Sequence, residues 1–399
     1  YLCAIDSTDA GVYKVEVKRN ENNNATYTVT ANTYTASNRC GLGSETGGTA
    51  TQDWINCSPA LPNTAARNTV AKELVNYATW YSYYRTRMKA AKAGASEAFR
   101  SVGYKSRVGF RKISEDSTGT AQVIPVATND GRFGDNPATI ADEGANRIAW
   151  YNKLFATTGS GYTPLRSSLA YAGKYFERTD ANGPYGPETG AAQLSCRQNF
   201  TILTTDGYWN TNDEPSDWPN PGDADNSDGS TITGPKSQSY KYTAAAPYSS
   251  SDNTTVADIA MSYWKRDLRT DTSFGKSASD DNNVPVSNGD PAFWQHMVTF
   301  GISIGLKGSL DQSSVAQVLA DGTPKKNGAA VSWPNPISNS GIERIDDLMH
   351  AAVNGHGSFV AASSPTAFAA GLRAALSAID QRTSSYSNVA TNSVSLDTD

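Results

Sequence analysis

The chain has 399 residues, with 34 Lys and Arg against 39 Asp and Glu and a formal net charge of -5. Nucleic-acid binding needs a concentrated basic surface, so this balance excludes nucleic acid as the expected partner. The length can bury a large core, while 33 glycines, 20 tyrosines and only 18% charged residues predict long ordered loops with a polar, uncharged surface that suits an extracellular protein.

In chain order, Val12-Tyr13-Lys14-Val15-Glu16-Val17-Lys18 and Thr26-Tyr27-Thr28-Val29-Thr30 alternate apolar and polar residues, which predicts a two-stranded hairpin within an insertion over 1–62. Cys3, Cys40, Cys57 and Cys196 form an even set without Cys-x-x-Cys spacing, so neither a zinc knuckle nor a thioredoxin-like site is expected. Two readings stay open: two disulfides in an oxidising compartment, with Cys40 and Cys57 as the nearest local pair, or four buried thiols. Val70, Leu74, Tyr77, Tyr81, Tyr84 and Met88 recur at steps of four and three, predicting a long amphipathic helix that continues to Phe99 with its aromatic stripe in the core. Residues 107–113 and 121–126 predict short strands, with Pro125 suited to an edge, and residues 146–157 predict a helix.

Gly159-Ser160-Gly161-Tyr162-Thr163-Pro164-Leu165 reads as a loop feeding a helix whose apolar face is Leu165, Leu169, Ala172 and Phe176. Pro164 belongs to its first turn and Thr163 to its cap. Asn199 to Thr205 is a β-branched apolar run that ends at Asp206-Gly207, which predicts a buried strand presenting Asp206 at its carboxyl end, where open α/β sheets place their ligands; a plain Asp-Gly turn is the alternative. Thr163 and Asp206 together are hard oxygen donors suited to Mg²⁺ or Ca²⁺. In the insertion that follows, Asp223, Asp225 and Asp228 alternate with small and amide residues and could also offer oxygens to Ca²⁺, although the glycine and closing Glu of an EF-hand are not in place. A solvated acidic turn is the competing reading.

A helix near 256–269, a strand at 297–304, a helix at 341–354, a strand at 358–360 and a last helix facing inward with Phe368, Leu372, Leu376 and Ile379 complete the order. This alternation predicts an α/β fold, a doubly wound sheet with helices on both faces. His296, His350 and His356 lie far apart without metal-ligand spacing and are expected in packing or surface roles. The longest apolar run, Met297 to Leu306, is too short for a membrane-spanning segment.

The Gly-x-Thr-Pro-Leu loop followed by a strand ending Thr-Asp-Gly resembles the von Willebrand factor A (vWA) domain, in which these residues belong to a metal-ion-dependent adhesion site. Five further blocks, at 76–87, 196–209, 263–268, 294–300 and 347–355, are similar in sequence and order to the vWA-containing part of the PilY/PilC proteins, the type IV pilus tip-associated adhesins and assembly factors. The resemblance implies a non-enzymatic adhesion and pilus-assembly module, secreted to the bacterial cell surface, pilus tip, outer membrane or periplasm. Its implied partners are minor pilins of the type IV pilus tip and a host or abiotic surface receptor. It also divides the chain into the 1–62 insertion, a vWA-like domain over 63–385 with insertions at about 179–196, 210–255 and 307–340, and a linker over 386–399 toward a calcium-binding propeller. The family's Asp-x-Ser-x-Ser motif is not found, so the chain is expected to begin downstream of the strand that carries it, with the Mg²⁺ or Ca²⁺ site incomplete. A metal-dependent hydrolase using Asp206 is the alternative function, disfavoured because no histidine, second carboxylate or Gly-x-Ser-x-Gly elbow accompanies that residue.

Overall fold

The computed structural model describes residues 12–19, 25–32, 79, 82–84, 86–114, 124–134, 144–159, 161–210, 214–270, 274–275 and 277–394. The chain divides into two compact units, Tyr1–Lys89 and Ala90–Asp399. In the first, β1 (Val12–Arg19) pairs antiparallel with β2 (Ala25–Asn32) in the expected hairpin. Cys3, Cys40 and Cys57 lie outside the described residues, as do 70–78, 80, 81 and 85 of the predicted long helix. Tyr84 and Met88 are exposed, so the stripe does not pack inward there.

Helix α1 (Arg87–Phe99) runs across the division of the units, and α2 (Ala145–Ala156), α3 (Leu165–Phe176) and β3 (Asn199–Thr205) follow in the second unit. A short hairpin of β4 (Ile232–Gly234) and β5 (Gln238–Tyr240) precedes α4 (Val256–Trp264) and the single turn α5 (Ala278–Asp281). Next come β6 (Met297–Ile304), α6 (Val315–Asp321), a small hairpin of β7 (Lys325–Lys326) and β8 (Ala329–Ala330), α7 (Glu343–Asn354), β9 (His356–Ala362) and α8 (Pro365–Val394).

The central sheet is parallel, in the order β3-β6-β9, and helices cover both faces. All eight residues of β6 are buried, as expected of a parallel strand sandwiched between helix layers. Alternation along β6 divides the core. Met297 joins Leu165, Leu169, Ile259 and Leu348 on the α3, α4 and α7 side, while Ile302 and Ile304 meet Phe99, Trp150, Phe368 and Leu372 on the α1, α2 and α8 side. The layers approach closely where side chains vanish: a Cβ on Gly173 of α3 would stand 2.4 Å from the Tyr263 ring of α4.

Residues 107–113 do not form the predicted strand. Arg107 makes an isolated bridge to Arg132 instead. Val108 and Phe110 pack toward Trp150, whose indole N–H donates to the Gly109 carbonyl at 3.3 Å, so side-chain burial directs this stretch. Residues 115–123, including the first half of the predicted second strand at 121–126, lie outside the described residues. Helix α4 ends at Trp264, short of 269, and α8 runs to Val394 through the start of the expected linker at 386. Among the described residues Cys196 carries no disulfide, and its three possible partners lie outside them.

Candidate functional site

The Thr163 and Asp206 loops meet at the carboxyl end of β3. The Thr163 N–H donates to Asn210 Oδ1 at 2.8 Å, and the Asn210 N–H donates to the Thr163 carbonyl at 3.1 Å. Asp206 follows β3 directly and is exposed, while Thr163 is half-buried. Between them the Thr205 hydroxyl accepts the Gly207 N–H at 3.2 Å, which fixes the turn after the strand. Thr163 does not cap α3: the cap position is Pro164, without a side-chain cap bond, and Thr163 offers its carbonyl to the Leu165 N–H at 2.9 Å. The hydroxyl is therefore not used as a helix cap, the role that competed with ion binding. A hydroxyl and an exposed carboxylate on hydrogen-bonded loops suit a hard cation, although two such donors leave most positions of an Mg²⁺ or Ca²⁺ shell to water or other groups.

Glu214 secures the α3 end of this region. It accepts from Arg166 Nε at 3.1 Å and from the Ser167 N–H at 3.0 Å, placing negative charge at the first turn of α3. Asp347 of α7 lies deeper. Its Oδ2 accepts the Trp209 indole N–H and the Val256 N–H, each at 3.0 Å, and its Oδ1 accepts the Ala257 N–H at 3.1 Å. Complete burial pushes this carboxyl up to about 7, with the α4 amides opposing.

The acidic loop assembles differently from the expected Asp223, Asp225 and Asp228 set. Asp223 and Asp225 join Asp258 of α4, with one oxygen from each carboxylate within 4.8 Å of the others. Asp228 stays exposed and apart, held by Lys241 at 3.1 Å and by the Ala244 N–H. Asp258 is the N3 residue of a capping box: the Thr255 hydroxyl accepts its N–H at 3.0 Å while its Oδ2 accepts the Thr255 N–H at 2.9 Å, and its Oδ1 takes the Asp225 N–H at 3.0 Å. The Thr255-x-x-Asp258 spacing is legible in sequence as a helix start. Its meeting with Asp225 is not, because only the fold brings the two together.

Burial first, and Asp258 second, pushes Asp225 up to about 8, and burial also raises Asp258. Burial lowers His350, which faces Asp225 at 3.6 Å, to about 3, so both partners are neutral at neutral pH and the contact is not an ion pair. Lys265 Nζ donates to the carbonyls of Ala224 and Ser227 at 2.5 and 2.6 Å, placing an ammonium on this loop. Asp223 Oδ1 is buried without a hydrogen-bond partner among the described residues. His296 and His356 are buried as well, in the aromatic cluster around Trp264 and Trp294, where His296 Nε2 also lies 3.2 Å from Asp290 Oδ2.

The parallel sheet with helices on both faces, and a hydroxyl-bearing loop clasped to an aspartate-bearing loop at the carboxyl end of a strand, define a vWA-like α/β domain. The chain is 32% identical over 315 residues to the Type IV pilus biogenesis factor PilY1 of Pseudomonas aeruginosa strain PAK, a match covering 74% of this chain and 25% of that protein. It is 31% identical over 330 residues to the protein of the same name from strain UCBPP-PA14, covering 80% and 26%. The chain belongs to the PilY/PilC family. It spans about a quarter of the length of these relatives. No family model and no solved structure matches it. Among the described residues no helix is long and apolar enough to cross a membrane.

Proposed function

We propose that this chain is the vWA-like part of a type IV pilus biogenesis factor, a non-enzymatic adhesion and assembly module acting at the bacterial surface. The observation that carries this reading is the similarity to PilY1 across about three quarters of the chain. On this reading the minor pilins of the pilus tip and a host or abiotic surface receptor are its partners. Thr163 and Asp206 supply part of an Mg²⁺ or Ca²⁺ site through which a partner carboxylate could be bridged, the role that hard cations with open positions can fill. The Asp223, Asp225 and Asp258 carboxylates are a second place for Ca²⁺, weakened by the neutral state that burial imposes on Asp225.

The test is made in the organism that encodes the chain. Deleting the corresponding segment from the gene should remove surface pili and surface attachment, as seen by electron microscopy and an adhesion assay. Asp206→Ala should impair attachment more than protein level. Normal piliation and attachment after the deletion would overturn the reading.

A further inference from the structure

Trp209 stands three residues after Asp206 and immediately before Asn210, so its anchoring sets the path of the chain between the carboxylate and the Thr163 clasp. The side chain is 1% exposed. The bond from its indole N–H to Asp347 Oδ2 ties it to a carboxylate that also receives the first two N–H groups of α4. The guanidinium groups of Arg166 and Arg344 lie over its ring, 4.6 and 4.2 Å from the centroid, and Arg344 also donates to its carbonyl. Each guanidinium is fixed in turn. Arg166 bonds Glu214 and the Thr254 carbonyl, and Arg344 Nε bonds the Pro336 carbonyl at 3.1 Å. A ring that only filled space would need none of these polar ties.

We infer that Trp209 is a positioning residue for the cation-bearing loop, holding Asp206 and Asn210 against Thr163 through its N–H bond to Asp347. This rests on the reading of Thr163 and Asp206 as cation ligands. Asp347 accordingly couples the loop to the α4 N-terminus, whose third residue is Asp258, and Trp209 carries that coupling outward to the sheet edge.

The test uses the 399-residue chain, MgCl₂ or CaCl₂ as the probe, and two variants. Trp209→Phe keeps the ring and removes the N–H; Asp347→Asn keeps the indole and alters its acceptor. Amide hydrogen exchange without metal should quicken at 206–210 by about tenfold in both, while the β6 amides, which report global opening, stay protected. Metal affinity, followed by amide shifts at Thr163 and Asp206, should weaken several-fold. Unchanged exchange at 206–210, or unchanged affinity in folded variants, would overturn the inference. Absence of any metal-induced shift in the wild-type chain would sink the cation reading alone, because the exchange comparison still decides whether Trp209 positions the loop. Should neither variant fold, the wild-type indole N–H resonance decides. It should shift with the same midpoint as the Asp206 amide, and an indole that stays still while Asp206 moves would overturn the inference.

Discussion

Asn210 holds Thr163 at two points, accepting its N–H on Oδ1 at 2.8 Å and donating its own N–H to the Thr163 carbonyl at 3.1 Å. The contact joins residues 47 positions apart and makes one structure of two loops that the sequence presents separately.

Asn210→Ala removes the side-chain half of this clasp and leaves the Thr163 N–H without its acceptor. The expected cost is about 1 kcal/mol, felt locally. Hydrogen exchange at the Thr163 and Leu165 amides should quicken while the thermal midpoint moves little, and unchanged exchange at Thr163 would refute the clasp.

Gly173→Ala tests the packing of α3 on α4. The added Cβ would lie 2.4 Å from the Tyr263 ring, and that ring is buried with little room to move. Overpacking of this kind costs about 1–3 kcal/mol, so denaturant unfolding should show a lower midpoint with an unchanged slope. A neutral substitution would mean that the helices stand further apart.

His350 sets a pH dependence. Burial lowers its folded-state value from 6.5 to about 3, so folding favours the neutral ring. Its contribution to stability is fully present above about 6.5 and is lost as pH falls toward 3. Asp225, raised from 3.8 to about 8, has the opposite trend: its contribution is full below 3.8 and is lost as pH rises through 8. Comparing the wild type with His350→Gln separates the two. The wild-type advantage in unfolding free energy should shrink between pH 7 and pH 4.5, and a constant difference would contradict the assignment.

Much of the framework was legible in the sequence because local pattern and final burial agree there. The run 297–304 reads as a buried strand and is one, and the β-branched run Asn199 to Thr205 ends at an exposed Asp206 as its stop at Asp-Gly predicts. Residues 107–113 read as a strand through the β-formers Val108, Phe110 and Ile113, yet these side chains find their burial against Trp150 and the α3 side without a ladder partner among the described residues. Tertiary packing overrides propensity in such a stretch. Asn210, Asp258 and Asp347 carry no such local signal because each acts through a contact between distant segments. Asp228 groups with Asp223 and Asp225 by sequence spacing, while the loop turns it outward to Lys241 and brings Asp258 in from α4.

In the proposed function the carboxyl edge of β3 offers Thr163 and Asp206 to one divalent ion. An amide-detected titration of the 399-residue chain with MgCl₂ and CaCl₂, run in parallel on Asp206→Ala and Thr163→Ala, tests this. One carboxylate and one hydroxyl should bind on the order of millimolar or weaker, as low-charge sites do. Shifts should be confined to the two loops, absent in Asp206→Ala and weakened in Thr163→Ala. Micromolar binding that vanishes in Asp206→Ala would show that further ligands complete the site. Binding that survives Asp206→Ala, or no response at either loop, would show that Thr163 and Asp206 do not hold the ion.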